Sequence, residues 1–196
     1  TLHLLCQTTG CLASGGGLAA EADALFRKSL ELAAATPREV PALEDLARLA
    51  QERGRAALDP FDQERHYRDA ITWNKRLIEL RPDHHQALYS LGEIVCERAG
   101  REFARAGVSV AQPIEAAEPL RDVRVRKELR EKFLNDIEEG LRYLERASAS
   151  ERGFERGEIR FGMLTQLRLI LCETEEEKQS VLHAFRSHVG EVGRRM

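Results

Sequence analysis

The chain has 196 residues, of which 42% are hydrophobic and 32% charged, and its net charge is −3. That length implies one domain, or two small ones, with a real buried core. The mild negative charge argues against a nucleic-acid partner, which calls for a clearly basic face. Ala, Leu, Glu and Arg dominate and strand formers are scarce, so an all-α protein is expected. No dinucleotide fingerprint, phosphate loop, zinc-protease or nucleophile-elbow motif occurs, and neither a cofactor nor a metal is expected. Arg greatly outnumbers Lys. Genomic base composition accounts for this, an Arg-based recognition surface being the alternative.

Residues 1–19 read as an N-terminal arm or tether. Leu2 to Leu5 are mostly apolar, Thr9-Gly10-Cys11 follows, and Ala13-Ser14-Gly15-Gly16-Gly17 makes a flexible stretch. This resembles the end of a bacterial lipoprotein signal, with Thr8 where that pattern usually has Leu. Cys6 and Cys11 are candidates for a disulfide or for lipid attachment. The apolar stretch is too short to span a membrane. An ordinary helix or extended arm is the other reading. Cys96 and Cys172 fall inside apolar helical patterns and read as core thiols. No C-x-x-C pair occurs, which argues against zinc.

A helical domain is expected over 20–196. Ala22, Leu25, Phe26, Ser29, Leu30 and Leu32 give one apolar face at helical spacing. Thr36-Pro37-Arg38-Glu39 reads as a helix start, Thr36 capping and Glu39 reaching back. The helix it opens carries Leu43, Leu46, Ala47, Leu49 and Ala50 and extends to about Leu58. Asp59-Pro60-Phe61-Asp62 opens the next, through Tyr67, Ala70, Ile71, Leu77 and Leu80. Pro82-Asp83 breaks it, Asp83 and Gln86 cap the following helix, and that one ends near Gly100. Residues 104–119, with Gly107, Pro113 and Pro119, read as a long loop of the kind that is often functional. Helices are expected over about 120–147, 154–172 and 174–192, the last opened by a capping box of Thr174 and Glu177.

The sequence repeats. Pro37, Leu43, Leu46 and Ala47 share the pattern P-x5-L-x2-L-[AG] with Pro82, Leu88, Leu91 and Gly92. Tyr67-x2-Ala70-Ile71, ending at Pro82, lies between the copies. This resembles the tetratricopeptide repeat, whose first helix carries an apolar residue and then L-G, and whose second carries Y-x2-A-I and a closing Pro. Small residues at Ala47, Ala70 and Gly92 would let helices cross closely. Leu43 and Leu88 lie 45 residues apart, against 34 in that family. The excess falls near Arg55–Arg65 and is about three helical turns, so both helices lengthen without rotating their buried faces. Asn74, beside Trp73, stands where the family has an aromatic residue. Gly140, Leu141, Leu144 and Ala147 look like the second helix of a degenerate third unit. The resemblance implies an antiparallel hairpin solenoid of about three irregular repeats and seven or eight helices.

The resemblance also implies that the first helix of each hairpin lines a concave groove. The matching positions are Glu44, Arg48, Gln51 and Glu52, then Gln86, Tyr89, Glu93, Cys96 and Glu97. That acid-leaning surface suits a basic or amphipathic segment. Solvated helix faces are the bland alternative. Glu44, Tyr89 and Glu93 stand where carboxylate-clamping relatives carry Lys, Asn and Arg, which argues against binding of a chaperone tail.

Enzymatic chemistry has little support. Asp83-His84-His85 with His66 is the best cluster, and polar residues are common at such a turn. His183 and His188 are five apart, a spacing that does not put them well on one face. Glu175-Glu176-Glu177 suits a helix N-terminus, and Asp136, Glu138 and Glu139 read as a polar face. Arg121, Arg124, Arg126, Lys127, Arg130 and Lys132 make one helix start basic, but Asp122, Glu128 and Glu131 dilute it. A docking face or ion pairs fit that better than lipid. Phe161, Met163, Leu167, Leu169, Ile170 and Leu171 exceed one helical face, which predicts self-association through the C-terminal helices.

The expected function is a non-catalytic scaffold holding a partner peptide or a subunit of a larger assembly. The alternative is a bacterial envelope lipoprotein with tetratricopeptide-like helices, serving a membrane transport or assembly complex. A third reading is a small-molecule-binding or enzymatic helical domain. Localisation is cytoplasmic on the first reading, periplasmic or envelope-bound on the second.

Overall fold

The computed structural model of the chain describes residues 19–33, 36, 38–108, 119–149 and 154–193. Cys6 and Cys11, nearly all of the expected arm, Pro37 and residues 109–118 of the expected loop lie outside them. The described residues form seven helices and no strand: α1 (Ala19–Ala33), α2 (Glu39–Ala56), α3 (Pro60–Leu80), α4 (His85–Arg105), α5 (Val123–Ser148), α6 (Phe154–Ile170) and α7 (Glu175–Gly193). The chain divides into two compact units between Ala87 and Leu88.

In the first unit α2 and α3 pair antiparallel, and α1 packs on α2. Val40, Leu43, Ala47, Leu77 and Ala87 form one buried cluster, and Leu46 with Leu49 another; Leu30 of α1 and Trp73 of α3 pack against both. Ala70 is fully buried. The close approach is tightest at Gly54, where a Cβ would stand 2.8 Å from Cε1 of the buried Tyr67. The extra length anticipated near 55–65 lies in the helices themselves, 18 residues in α2 and 21 in α3. Asn74 is buried, and its Nδ2 donates to the Ala70 carbonyl at 2.9 Å.

The ends of these helices are set by local chemistry. At α2 the expected Thr36 cap does not form: Arg38 immediately precedes the helix and no side chain caps it, Thr36 Oγ1 accepting only from the Arg38 amide at 3.3 Å, while Glu39 pairs with Arg76 of α3 at 3.3 Å. The Asp59 carboxylate accepts from the amides of Phe61 and Asp62, with Pro60 in the first turn. At α4 the expected Asp83 cap gives way to His84, whose Nδ1 accepts from the Ala87 amide at 3.2 Å. Position 84 immediately precedes the helix, so its side chain meets the amide three residues on.

The second unit is a series of antiparallel neighbours. Gly92 of α4 faces Leu144 of α5, where a Cβ would stand 2.6 Å from Leu144 Cδ2. Arg98 bonds to Asp136 at 3.1 Å, and the rings of Phe103 and Phe133 meet edge-on at 6.4 Å. The first helix paired with Gly140, Leu144 and Ala147 is therefore α4, and the connection over 106–122 joins the two halves of one hairpin. Helix α4 also runs past Gly100, the expected end. Nothing crowds Gly100, and the buried Phe103 anchors the next turn. The stop comes at Gly107, with φ of 76°, where Val108 donates to the Phe103 carbonyl and Gly107 to that of Ala104.

Helix α6 lies between α5 and α7. Leu164 packs at Gly140, and Glu158 bonds to His188 of α7 at 2.9 Å. Its apolar excess is consumed on two sides: Phe161, Leu164, Leu167, Ile170 and Leu171 join the main core, and Leu169 with Cys172 meets Leu182. The self-association surface expected there is thus largely buried within the chain. Where α5, α6 and α7 meet, Glu177 accepts from Arg130 at 2.9 Å, from Arg168 at 2.7 Å and from the Glu173 amide at 2.9 Å. The Glu177 amide in turn donates to Thr174 Oγ1 at 3.1 Å, the expected cap.

Candidate partner-binding surface

Helix α2 is buried over most of its circumference. Val40, Ala42, Leu43, Asp45, Leu46, Ala47, Leu49, Ala50 and Gln51 are all buried. Glu44, Arg48 and Glu52, one turn apart, stay exposed and make a narrow charged stripe. Gln51, expected in the same surface, faces inward at 5% exposure.

The stripe is ordered by its own pairs. Arg48 donates to Asp45 Oδ1 and to Glu52 Oε1, both at 3.3 Å. Partial burial works against the Arg48 cation, but the two carboxylates outweigh it and raise its pKa above the ordinary arginine value. Glu44 is held at 2.7 Å from His84 Nε2. With His84 Nδ1 accepting from the Ala87 amide, the ring hydrogen sits on Nε2 and is donated to Glu44. The residue that starts α4 thus also fixes one end of the stripe. Gln86 is exposed in the first turn of α4.

The positions expected to line the second helix are placed differently. Tyr89 donates to Glu93 Oε1 at 3.0 Å, and Arg160 of α6 donates to the same oxygen at 2.9 Å. Burial first, and the Glu93 charge second, raise the Tyr89 phenol above its ordinary value. Cys96 is buried, its Sγ donating to the Arg160 carbonyl at 3.4 Å, and burial pushes its thiol up to about 12. Glu97 is half-buried. Helix α6 therefore engages Tyr89, Glu93 and Cys96 within the chain.

The histidines do not converge. His84 and His85 stack with ring centroids 6.4 Å apart. His66 sits near the opposite end of α3, about 20 Å away at 1.5 Å per residue. Burial first, then Arg65 and Arg53, lower its pKa. Among the described residues, no group of three or more His, Cys, Asp or Glu is placed to hold a metal ion. No described helix is long and apolar enough to cross a membrane.

Two features escaped the sequence reading. One is the Glu177 junction, of which only the Thr174 capping box was visible. The other is the turn between α2 and α3, where Leu58 and Phe61 stand in solvent. Phe61 followed a capping Asp59 and looked like an ordinary first-turn residue. No protein-family model matches the chain, and no curated protein or solved structure matches it significantly.

Proposed function

We propose that this protein is a non-catalytic scaffold of tetratricopeptide-like hairpins, holding a partner polypeptide on the Glu44–Arg48–Glu52 stripe of α2. The observation that carries this reading is the contrast around that helix. Most other positions are buried, with α1 and α3 packed on the helix, and what remains open is one charged line. A preorganised surface binds at lower entropic cost than a mobile one.

The charges suggest the partner's chemistry. Two carboxylates flank one guanidinium, so the stripe favours a segment with cations near both ends. Glu44 and Glu52 are eight residues apart, about 12 Å along a helix. An extended chain spans that distance in about four residues. A basic or amphipathic segment with two cations at that separation fits best.

The test replaces the stripe with neutral amides, Glu44→Gln, Arg48→Gln and Glu52→Gln together, in the full chain. Proteins recovered with each form from native cells are compared by quantitative mass spectrometry. The proposal expects at least one protein to fall about tenfold or more with the substituted form, as loss of paired interface charges predicts. Equal recovery of every protein by both forms, with the fold unchanged by circular dichroism, would sink it.

A further inference from the structure

At the start of α4 one imidazole makes two bonds that only its neutral form can make together. His84 Nδ1 accepts from the Ala87 amide at 3.2 Å, and Nε2 donates to Glu44 of α2 at 2.7 Å. The first bond needs a lone pair on Nδ1. A protonated ring is a donor at both nitrogens and cannot accept that amide. Histidine is also the side chain that changes charge near physiological pH.

Protonation acts on the two bonds in opposite directions. The cap is lost, because N–H then faces N–H and the amide end of a helix repels a cation. The Glu44 contact is strengthened, because a neutral donor becomes an ion pair. The other charges near the ring do not offer a better partner. Its own turn carries Arg81 and Asp83, both exposed, and His85, whose ring stacks on it at 6.4 Å between centroids. Elsewhere on α2, Arg48 pairs with Asp45 and Glu52, and Glu39 pairs with Arg76 of α3. On α3, whose Leu77 shares a buried cluster with Ala87, Arg76 also pairs with Glu79. The side chain of His84 is only 9% exposed, so the charged ring is held against Glu44 rather than released to water.

The chain carries a second cap one residue earlier. Aspartate is among the best capping residues, and Gln86, three residues after Asp83, completes a capping box. While His84 sits on the Ala87 amide, that box is not used. Moving the start of α4 back by one residue would seat the Asp83 carboxylate on the Gln86 amide and make His84 the first helical residue. A carboxylate there is favoured by the same helix end that repels the charged imidazole. The buried Ala87 keeps the helix in place while its cap changes. The start expected from sequence and the start seen in the structure are thus two arrangements of one turn.

We propose that the start of α4 is a proton-operated switch with two caps: neutral His84 caps the helix, and protonated His84 cedes the cap to Asp83 and holds Glu44 in an ion pair. The consequence for docking rests on the reading of α2 as a partner-binding stripe. In mild acid a partner's cation must compete with His84 for Glu44.

The test is nuclear magnetic resonance on the isotope-labelled full chain, titrated from about pH 8 to about pH 5. At the alkaline end His84 should carry its proton on Nε2. As the ring gains a second proton, the Ala87 amide should lose its hydrogen bond and the Gln86 amide should gain one. The Glu44 side-chain carboxyl should respond with the same midpoint. His84→Asn, which caps without titrating, should abolish all three responses. Asp83→Ala removes the second cap. The first-turn amides of α4 should then exchange with solvent at least about fivefold faster than in the parent at the acid end, and equally at the alkaline end. Any of four results overturns the proposal: a proton on Nδ1 at the alkaline end, an Ala87 amide that ignores the ring's titration, one that still moves in His84→Asn, or Asp83→Ala indistinguishable from the parent in acid. No partner enters this experiment. Its failure leaves the stripe standing, and failure of the stripe in native cells leaves the two caps standing.

Discussion

Replacing Glu177 with Gln should destabilise the second unit by about 3 kcal/mol near neutral pH, and the loss should disappear in acid. Glu177 is a carboxylate shared by α5, α6 and α7, through Arg130, Arg168 and the Glu173 amide. Burial alone would raise its pKa. The Glu173 amide and the two guanidiniums outweigh that and bring it from 4.5 to about 2. A carboxyl displaced that far binds its proton about 3 kcal/mol less readily in the folded state than in the unfolded one. Its side chain is 19% exposed, so solvent screening removes only part of this. Because the folded pKa is the lower, the contribution is complete above 4.5 and is lost as pH falls toward about 2. Urea unfolding followed by far-ultraviolet circular dichroism reads the difference between the two proteins. It should be largest near neutrality, about half or less near pH 3, and close to zero near pH 2. Trp73, the single tryptophan, lies in the first unit, and its fluorescence reports that unit separately. A difference under about 1 kcal/mol at neutral pH would refute the reasoning, as would one that persists undiminished into acid.

Three other outcomes follow from the packing. Gly92→Val should cost about 2 kcal/mol or more, because the new side chain meets the fully buried Leu144; a neutral urea midpoint would contradict the crossing described. His84→Ala should cost about 1 kcal/mol by removing the α4 cap and the Glu44 contact, while His84→Asn, which can cap, should recover part of it in a thermal melt. Cys96, with its thiol pushed up to about 12, should resist thiol reagents in mildly alkaline buffer and react once the chain is unfolded in urea.

Much of this architecture was legible because it is local. Asp59-Pro60 and Thr174 announced helix starts through side chains that bond amides two or three residues away. The small residues Ala47, Ala70 and Gly92 are buried, as their place among the apolar positions of their helices implied. What escaped was tertiary. By sequence Asp83 is the favoured cap, and only the reach of the His84 ring to both Ala87 and Glu44 displaces it. Gly100 looked like a stop because glycine disfavours helix, yet burial of Phe103 carries α4 onward. The apolar excess of α6 predicted contact on two sides but not that α5 and α7 supply both. Of the candidate surface, Glu44, Arg48 and Glu52 are exposed together, whereas Gln51 turns inward and Glu93 is taken up by Arg160.

Carboxyl footprinting with a carbodiimide is the most direct measurement of whether α2 holds a partner. The chain would be labelled alone and again in complex with the protein it captures. Glu44 and Glu52, each about half exposed at the side chain, should lose most of their labelling in the complex, while Glu79 on α3 should keep its own. Unchanged labelling of Glu44 and Glu52 in a complex that has demonstrably formed would contradict the scaffold reading.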